Sequence, residues 1–345
     1  MQRRFGKDMA TYLIDPIIRG VCAGDAREIS VKFLAKTPFE LEQRYGSVLL
    51  GFFLEKLLRR SAKKEVLEDE NSIGFTTIAL NSMLENWSVW SLESGLESLP
   101  AKLEQTLVNN DVEIRKNCSV SSIRMGDKNN PLPNAEVEYT EGGEKGSKTL
   151  TCSYIISTIP ASILAKIVRQ SKPSQPTLWR IFETIQGVDV RVTNLMYKDD
   201  SILHYNAFGF LVPSIESKTL PGLLGVVFDT CSFPQEGKTV LTCMSQTGHG
   251  TDDLSVIRNY LQTSLNIFRQ PDDVYSETLL SCIPQYTVGH YEKVDAIKKF
   301  VKASKLPLLL AGASFDGVSV NDCIFSGRKA AEQLQNEIDP ILKPE

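Results

Sequence analysis

The spacing of apolar residues changes from helical to strand-like along the chain. Residues 1 to about 58 carry apolar side chains at helical spacing, and the Asp15-Pro16 pair predicts a boundary or a kink within this helical region. The polar stretch over 59–71 is typical of a linker. From Leu96 onward, apolar positions recur every three or four residues, which predicts a further helix.

The middle of the chain has the period-two pattern of β-strands. Val188, Val190 and Val192 alternate with polar residues. Further strand-like segments are 112–118, 136–139, 154–159, 207–212, 222–228 and 239–245. Turn residues separate the segments between 188 and 245, and this pattern predicts a mainly antiparallel sheet.

Two helices are predicted toward the carboxyl end. An apolar stripe runs from Leu254 to Phe268, and Thr251 and Asp252 are able to cap its start. A buried strand then covers residues 308–311, followed by a Gly-rich turn and a final helix. The residues that share one face of the final helix are Ile324, Gly327, Ala331, Leu334 and Ile338, and its small residues would let it approach a sheet or a ligand closely.

The composition excludes several classes of protein. Of the 345 residues, 42% are hydrophobic and 23% are charged, which is too apolar for a disordered chain. The formal net charge of −4 argues against a nucleic-acid partner, because binding a polyanion needs a basic surface. The three histidines are scattered, so the sequence gives no case for a metal site. No apolar run reaches the roughly 18–20 residues that a membrane span requires.

The turn after the last predicted strand is the most informative local feature. Gly312 and Gly317 lead from a buried strand into a helix, whose first backbone N–H groups favour an anion or a polarised oxygen. On spacing alone, an ordinary connection between a strand and a helix is the favoured interpretation of this segment. Ser314 is not a nucleophile of the Gly-x-Ser-x-Gly type, because Asp316 stands where the second glycine would be.

Other titratable residues form no convincing catalytic arrangement in the sequence. Asp316 and Asp322 could form a carboxylate pair, but we expect them to cap the helix or to hydrogen-bond around the turn. His290 could act as a base, although a single histidine is more often structural.

Several separated blocks of the sequence resemble one family, in the same order. They are residues 18–24, 87–100, 156–164, 208–214, 282–290 and 311–328. The blocks at 92–100 and 311–328 are shared by the whole flavin amine oxidase superfamily. Arg-Gly-Val-Cys-Ala-Gly at 19–24 and Cys-Ile-Pro-Gln-Tyr-Thr-Val-Gly-His at 282–290 are more specific. On these blocks the chain resembles the protoporphyrinogen oxidases of the animal mitochondrial type.

The resemblance implies a mixed α/β (α+β) fold. A Rossmann-like FAD-binding domain, incomplete at its N-terminus, would accompany an antiparallel-sheet substrate domain and a helical membrane-associated part. The implied boundaries are 1–70 for the helical part, 71–169 with 300–345 for the FAD-binding domain, and 170–299 for the substrate domain.

The resemblance also implies an activity, the oxidation of protoporphyrinogen IX to protoporphyrin IX in porphyrin and haem biosynthesis. FAD would be the cofactor and dioxygen the acceptor, with hydrogen peroxide as the product. Because the flavin carries the chemistry, no catalytic side chain is expected.

The family positions fall on specific residues of this chain. The implied cofactor-binding residues are Val120, Val318, Ser319 and Val320. The implied substrate-binding residues are Ile17, Gly20 and Ala23 on one wall, and Phe208, Leu211, Met244 and Ile283 on the other. Patterning alone favours a simple core for these apolar residues, and only the family positions favour a substrate pocket. We expect Arg19 to order the helix and the pocket backbone rather than to take part in the chemistry.

The family further implies peripheral contact with the inner mitochondrial membrane, on the intermembrane-space side. The apolar segment 45–58 and the basic residues Arg59, Arg60, Lys63 and Lys64 suit such contact, and a buried helix of the substrate domain is an equal alternative. A homodimer is left open as the assembly.

The sequence departs from the family at one large feature. No Gly-x-Gly-x-x-Gly fingerprint for the FAD pyrophosphate occurs in it. From that departure we expect the chain as written to bind FAD poorly and to be inactive, with strand edges at 112–123 and 152–158 exposed. Two alternatives stay open, another flavin oxidoreductase of the superfamily and a non-catalytic porphyrin-binding protein.

Overall fold

The protein is a mixed α/β molecule, as the sequence predicts. A computed structural model describes residues 2–62, 81–82, 84–86, 91–92, 94–126, 135–142, 146–171, 176–251 and 253–342. The helices up to residue 108 are α1 (Gln2–Phe5), α2 (Lys7–Met9), α3 (Asp15–Cys22), α4 (Val31–Leu34), α5 (Lys36–Tyr45), α6 (Val48–Ala62) and α7 (Ser98–Val108). The later helices are α8 (Ala161–Gln170), α9 (Pro176–Glu183), α10 (Asp229–Ser232), α11 (Leu254–Leu265), α12 (His290–Ala303) and α13 (Val320–Leu342).

The strands form three separate sheets in the described part of the chain. They are β1 (Cys118–Met125), β2 (Ala135–Glu141), β3 (Lys148–Cys152), β4 (Ile155–Ser157), β5 (Gly187–Tyr197), β6 (Gly209–Leu211), β7 (Leu223–Phe228), β8 (Thr239–Gln246), β9 (Asp273–Pro284) and β10 (Leu308–Leu310). Their orders are β1-β2-β3, β10-β4 and β6-β7-β8-β5-β9.

The five-stranded sheet confirms the antiparallel arrangement predicted from alternation. The long strand β5 pairs with β8 on one side and with β9 on the other, both antiparallel. Within this sheet, the apolar pattern missed the 12-residue strand β9. Most of its side chains are exposed, so it has no clear apolar alternation for a sequence pattern to detect.

One face of this sheet is covered by α11. The side chains of Leu195 and Leu241 from the sheet share a buried cluster with Ile257 and Leu261 from the helix. The cap of this helix differs from the prediction, because the side chain of Asp253 accepts a hydrogen bond from the Ser255 N–H at 2.8 Å. The hydroxyl of Thr251 donates instead to the carbonyl of Gln246, and Asp252 lies outside the described residues.

The last strand and helix form a second layer. β10 pairs in parallel with β4, and Leu308 and Leu310 enter a core built mainly from α8, α9 and α12. Leu309 points the other way and packs with Ala330 of α13. Helices therefore cover both faces of this small parallel sheet, as parallel strands require.

The predicted face of the final helix is wrong by about one residue. Ser326 and Ala330 are buried and Leu334 packs beside them, whereas Ile324 is 53% exposed and Ala331 is also exposed. The interior of α13 mixes small and polar residues, and such a sequence defines its buried stripe weakly. A Cβ added at Gly327 would meet nothing within 4 Å, so this glycine does not serve a close approach to another described part of the chain.

Two other sequence predictions have different outcomes. Residues 112–117 are not a strand, and β1 begins at Cys118. Of the linker predicted over 59–71, residues 59–62 continue α6 and the remainder lies outside the described residues.

The chain divides into two compact units. One contains residues 1–34, 120–139 and 147–345, and the other contains 35–119 and 140–146. In the second unit α5 packs against α6, where Leu41 lies against Gly51 at a distance that leaves no room for a Cβ. Within the described ranges, no helix is both long enough and apolar enough to cross a membrane.

Candidate functional site

The helix α3 is tied to the five-stranded sheet through two buried charged side chains. Arg19 is only 8% exposed, and its guanidinium donates to the carbonyl oxygens of Val212 at 3.0 Å and Leu223 at 3.3 Å. One turn earlier, the Asp15 carboxylate accepts the N–H of Ser214 at 2.6 Å. Arg19 thus orders the backbone beside β6 and at the start of β7. That this backbone belongs to a substrate pocket stays a prediction.

The carboxyl end of α3 lies very close to neighbouring segments. A Cβ added at Gly20 would overlap a δ-carbon of Leu211, and one at Gly24 would lie 2.5 Å from the Gln285 side-chain oxygen. The helix ends at Cys22, and the next residue, Ala23, caps it with a φ of 51°, in the left-handed region. The amide of Gln285 donates to the Cys22 carbonyl at 2.9 Å, which fixes this end of the helix.

An apolar surface forms where α3 meets the open face of the sheet. Ala23, Val190 and Leu224 are its buried members. The partly buried residues packed against them are Val188, Val192, Met244 and Ile283. The structure therefore brings three predicted substrate residues, Ala23, Met244 and Ile283, into one cluster.

The other four predicted substrate residues lie around this cluster or beyond it. Gly20 is in α3, three residues before Ala23 of the cluster, and it contacts Leu211 of β6, which is 40% exposed. Ile17 is half-buried one turn before Gly20. Phe208 is 71% exposed and precedes β6. Neither Ile17 nor Phe208 belongs to the buried cluster. The substrate-binding roles of all seven residues stay predictions.

A short chain of polar groups continues the same sheet face. Asn194 and Thr242 are a cross-strand pair two residues along from the pair Val192 and Met244. The Asn194 amide donates to the Thr242 hydroxyl at 2.7 Å, and that hydroxyl donates to the Asp229 carboxylate at 2.8 Å. Burial raises the pKa of Asp229, which the hydrogen bond from Thr242 partly offsets. Sequence analysis missed this group, because its members come from three separate elements.

The turn between β10 and α13 is stabilised by hydrogen bonds from its own side chains and from neighbouring ones. The Ser314 hydroxyl accepts the N–H of Ala161 at 3.0 Å, which is a structural role and agrees with its rejection as a nucleophile. Asp316 forms an ion pair with Lys298 at 2.6 Å. Asp322 accepts the hydroxyl of Ser319 at 2.7 Å. Asp322 therefore hydrogen-bonds within the turn, as expected, whereas Asp316 is held by a lysine from α12.

Free backbone donors remain at the start of α13. Gly312 and Gly317 have φ angles of 95° and 125°, which a glycine adopts without strain. The N–H of Ser319 is bonded to Asp322 at 3.3 Å. Among the described residues, the N–H groups of Val318 and Val320 have no acceptor. Two donors at the positive end of a 23-residue helix fit the polar edge of a flavin ring, which gains negative charge on reduction.

Val120, predicted to contact the adenine side of the cofactor, lies elsewhere. It is in β1, where its side chain packs against the core that contains Phe315. No described contact joins Val120 to the residues at the start of α13, so its predicted role stays a prediction.

His290 is a structural residue, as the sequence favoured. It is the first residue of α12, is 1% exposed and stacks on Tyr286 with ring centroids 3.8 Å apart. Burial, assisted by Lys293, lowers the pKa of His290 to about 4, so the ring is neutral at pH 7. Its Nε2 is buried and has no hydrogen-bond partner among the described residues.

Comparison with known proteins identifies the family. The family model described as flavin containing amine oxidoreductase matches residues 1–335. Human protoporphyrinogen oxidase is 34% identical over 350 residues, which cover 96% of this chain and 66% of the human protein. The Schizosaccharomyces pombe protoporphyrinogen oxidase is 26% identical and covers 97% of this chain and 67% of its own. The chain thus spans about two thirds of the length of these relatives.

Solved structures have the same fold. A crystal structure from Exiguobacterium sp. 255-15 superposes with a TM-score of 0.71 at 20% identity, over 98% of this chain and 66% of that one. Reduced UDP-galactopyranose mutase superposes with a TM-score of 0.57 at 12% identity, over 100% and 66%. The family description and the curated relatives imply FAD as the cofactor, which confirms that expectation. With its family model matched from residue 1 to residue 335, this chain belongs to the flavin-containing amine oxidoreductases.

Proposed function

We propose that the protein takes part in the FAD-dependent oxidation of protoporphyrinogen IX to protoporphyrin IX. The observation that carries the proposal is the 34% identity to human protoporphyrinogen oxidase over 96% of this chain. Six electrons and six protons leave the substrate, and each dioxygen molecule takes two of each to become hydrogen peroxide. The reaction belongs to porphyrin and haem biosynthesis.

The substrate side of the proposed site is an apolar surface for a flat macrocycle. Ile17, Gly20 and Ala23 would form one wall, and the other would be formed by Phe208, Leu211, Met244 and Ile283. The common cluster of Ala23, Met244 and Ile283 supports this assignment. The contact between Gly20 and Leu211 also supports it, because the Leu211 side chain packs directly against the backbone of α3 there.

The cofactor side of the proposed site is the start of α13, with Val120 as a more distant contact of the nucleotide. When bound, FAD accepts a hydride from the substrate carbon. The N–H groups of Val318 and Val320 would stabilise the negative charge that the ring then carries. Ser319 would act through its side chain, which holds Asp322 at the helix start.

No side chain near this surface is proposed as a catalytic acid or base. His290 is neutral and buried within the fold. The chain's own residues would bind and orient the macrocycle and exclude water from it. Hydride departure from a carbon bridge does not itself require a titratable side chain.

We extend the proposal to the inner mitochondrial membrane, with peripheral contact on the intermembrane-space side. The Nicotiana tabacum relative is named as mitochondrial, which supports the compartment. The helix α6 supports the contact, since it carries large exposed apolar residues: Leu49, Leu50, Phe52, Phe53 and Leu57. Leu49 is 80% exposed. If the protein forms a homodimer, we propose that the dimer interface lies away from α6, so that this helix stays free to contact the membrane.

The activity is tested with the purified protein, added FAD and protoporphyrinogen IX. Flavin absorbance in the protein, together with rising porphyrin fluorescence and release of peroxide, would support the proposal. The same result would overturn the expectation, drawn from the missing Gly-x-Gly-x-x-Gly fingerprint, that the chain as written binds FAD poorly and is inactive. Peroxide that depends on an added amine would instead favour another member of the superfamily. Porphyrin binding with no flavin uptake would favour a non-catalytic porphyrin-binding protein.

The membrane contact is tested separately by flotation with vesicles of anionic phospholipid. The variant Phe52→Ser/Phe53→Ser should lose binding, whereas the matched variant Phe233→Ser should keep it, because Phe233 is exposed in the other unit. Equal flotation of all three proteins would contradict the contribution of α6.

A further inference from the structure

Tyr286 bridges the two sides of the turn that leads into α13. Its hydroxyl donates to the carbonyl of Ala313 at 2.7 Å and accepts the N–H of Gly317 at 2.7 Å. These two residues lie on opposite sides of the turn, so a single oxygen atom fixes the distance across it. Burial raises the pKa of Tyr286, and the hydroxyl therefore keeps the proton that it donates.

The phenol ring itself is held rigidly. Tyr286 is 1% exposed, with the ring of His290 stacked on it and the ring of Phe33 centred 4.7 Å away. Its carbonyl accepts the N–H of Ser30 at 2.8 Å. Because both ring and backbone are fixed, the position of the hydroxyl oxygen is determined before any ligand binds.

The segment after Gly317 is fixed at both ends. Tyr286 holds the Gly317 N–H, and Asp322 holds the N–H and hydroxyl of Ser319. Val318 lies between these anchors, and Val320 follows directly. The direction of their free N–H groups therefore depends on the Tyr286 hydroxyl.

Tyr286 also connects this turn with the substrate side. It lies three residues after Ile283, in a segment where the Gln285 amide donates to the carbonyl oxygens of Cys22 and Ile283. One short segment thus contacts both the end of α3 and the start of α13.

We propose that Tyr286 is a positioning residue, whose hydroxyl orients the Val318 and Val320 N–H groups toward the flavin and so raises both its affinity and its reduction potential. This inference rests on the proposed function. The contacts assign Tyr286 no chemical step, since it acts through the backbone of the turn.

The test compares Tyr286→Phe with the matched variant Tyr291→Phe. The first removes the bridging hydroxyl and keeps the buried ring. The second removes a hydroxyl from the same aromatic cluster, where the Tyr291 ring is centred 5.9 Å from that of Tyr286. Hydrogen exchange of residues 312–320 is measured first on the flavin-free protein. We expect at least tenfold faster exchange at Gly317 in Tyr286→Phe and no change in Tyr291→Phe.

The second measurement uses the FAD-loaded protein. Tyr286→Phe should bind FAD about tenfold more weakly, which corresponds to about 1.4 kcal/mol, and should have a more negative flavin reduction potential. A residue with only a structural role would lower the melting temperature without moving the potential.

The outcomes separate this inference from the proposed function. Unchanged exchange at Gly317 would overturn the role of the hydroxyl in the turn. Faster exchange with unchanged FAD affinity and potential would overturn its effect on the flavin. If the wild-type protein takes up no flavin, the proposed function fails, while the exchange comparison still decides whether Tyr286 holds the turn.

Discussion

The Nε of Arg19 lies 3.0 Å from the carbonyl oxygen of Val212, although the two residues are 193 positions apart in the sequence. The same guanidinium reaches the carbonyl of Leu223. Val212 directly follows β6, and Leu223 is the first residue of β7. The contact therefore sets how α3 lies against the five-stranded sheet. Water could not easily replace Arg19 as the hydrogen-bond donor to these carbonyls, because the arginine side chain is buried.

Replacing Arg19 by methionine should lower the free energy of unfolding by about 3 kcal/mol, because two carbonyl groups lose a charged donor. Urea unfolding followed by circular dichroism measures this change. The matched variant Arg328→Met removes an exposed ion pair with Glu332 and should cost less than about 0.5 kcal/mol. A similar small cost for both variants would contradict the role of Arg19.

Gly20→Ala should separate binding from stability. The added Cβ would overlap the δ-carbons of Leu211, and this partly exposed side chain can rotate away. A gain in helix propensity of about 1 kcal/mol offsets much of the cost, so the free energy of unfolding should change by less than about 1 kcal/mol.

The displaced Leu211 side chain should nevertheless disturb the proposed substrate wall. We expect protoporphyrin IX to bind about tenfold more weakly to Gly20→Ala, a change of about 1.4 kcal/mol, as measured by fluorescence titration. Because Leu211 itself belongs to the proposed wall, the reference for the double variant is Leu211→Ala: Gly20→Ala/Leu211→Ala should bind no more weakly than Leu211→Ala alone, since the clash is then removed. The control Gly327→Ala, whose Cβ meets nothing within 4 Å, should bind like the wild type. Equal binding by all variants would remove Gly20 from the proposed wall.

Val320→Pro tests the backbone donor at the start of α13. Proline is tolerated in the first turn of a helix, where its missing N–H has no helical acceptor. The variant should therefore fold, yet bind FAD about tenfold more weakly, because one hydrogen bond to the flavin is lost. Val320→Ala is the matched control, since it shortens a side chain that is 55% exposed and keeps the N–H. Equal flavin affinity in both variants would contradict a contact through this N–H.

The five-stranded sheet could be predicted because its strands alternate. Successive side chains of a strand point to opposite faces, so Val188, Val190 and Val192 lie on the same face. This period of two can be recognised in the sequence without knowing what packs on the sheet. The mostly exposed strand β9 has no clear alternation of apolar and polar residues, and the sequence pattern missed it. The helix α13 mixes small and polar residues, so its buried face was predicted about one residue away from its actual position.

From spacing alone, the candidate site was predictable only where its residues are adjacent in sequence, and its more distant residues required the family resemblance. The Gly-rich turn before α13 could be recognised from its spacing, and the family positions pointed to Ala23, Met244 and Ile283. The bonds from Tyr286 to Ala313 and Gly317 join residues about 30 positions apart. Local periodicity contains no information on such a contact, so its role emerged only from the structure.

The pKa of Asp229 makes a prediction about charge. Burial raises this pKa above its unfolded value, so the stability that the carboxyl contributes is present at low pH and is lost as the pH rises through the folded-state pKa. Asp229→Asn keeps an acceptor for the Thr242 hydroxyl and removes the charge. Its free energy of unfolding should exceed that of the wild type at pH 7, and the difference should vanish below about pH 4. A less stable variant at pH 7 would show that the carboxylate charge is favourable there.

The lowered pKa of His290 predicts the opposite pH dependence from that of Asp229, namely a loss of stability as the pH falls. Its pKa is about 4 in the folded protein and about 6.5 when unfolded, so below pH 6.5 the unfolded chain binds a proton that the folded protein does not. The stability associated with the neutral ring is therefore complete above pH 6.5 and is lost as the pH falls toward 4. The loss should reach about 3 kcal/mol.

His290→Phe should lack this loss, because a phenyl ring can stack on Tyr286 and does not titrate. The measurement is the free energy of unfolding of both proteins from pH 7 to pH 4, with the difference plotted against pH. Lys293 also lowers the pKa of His290, whereas Glu292 and Asp316 raise it. Lys293→Gln should therefore raise the folded-state pKa of His290, so that the loss of stability on acidification ends at a higher pH and is smaller. Parallel pH profiles for wild type and His290→Phe would contradict a buried neutral histidine, since its protonation is the only difference expected between them.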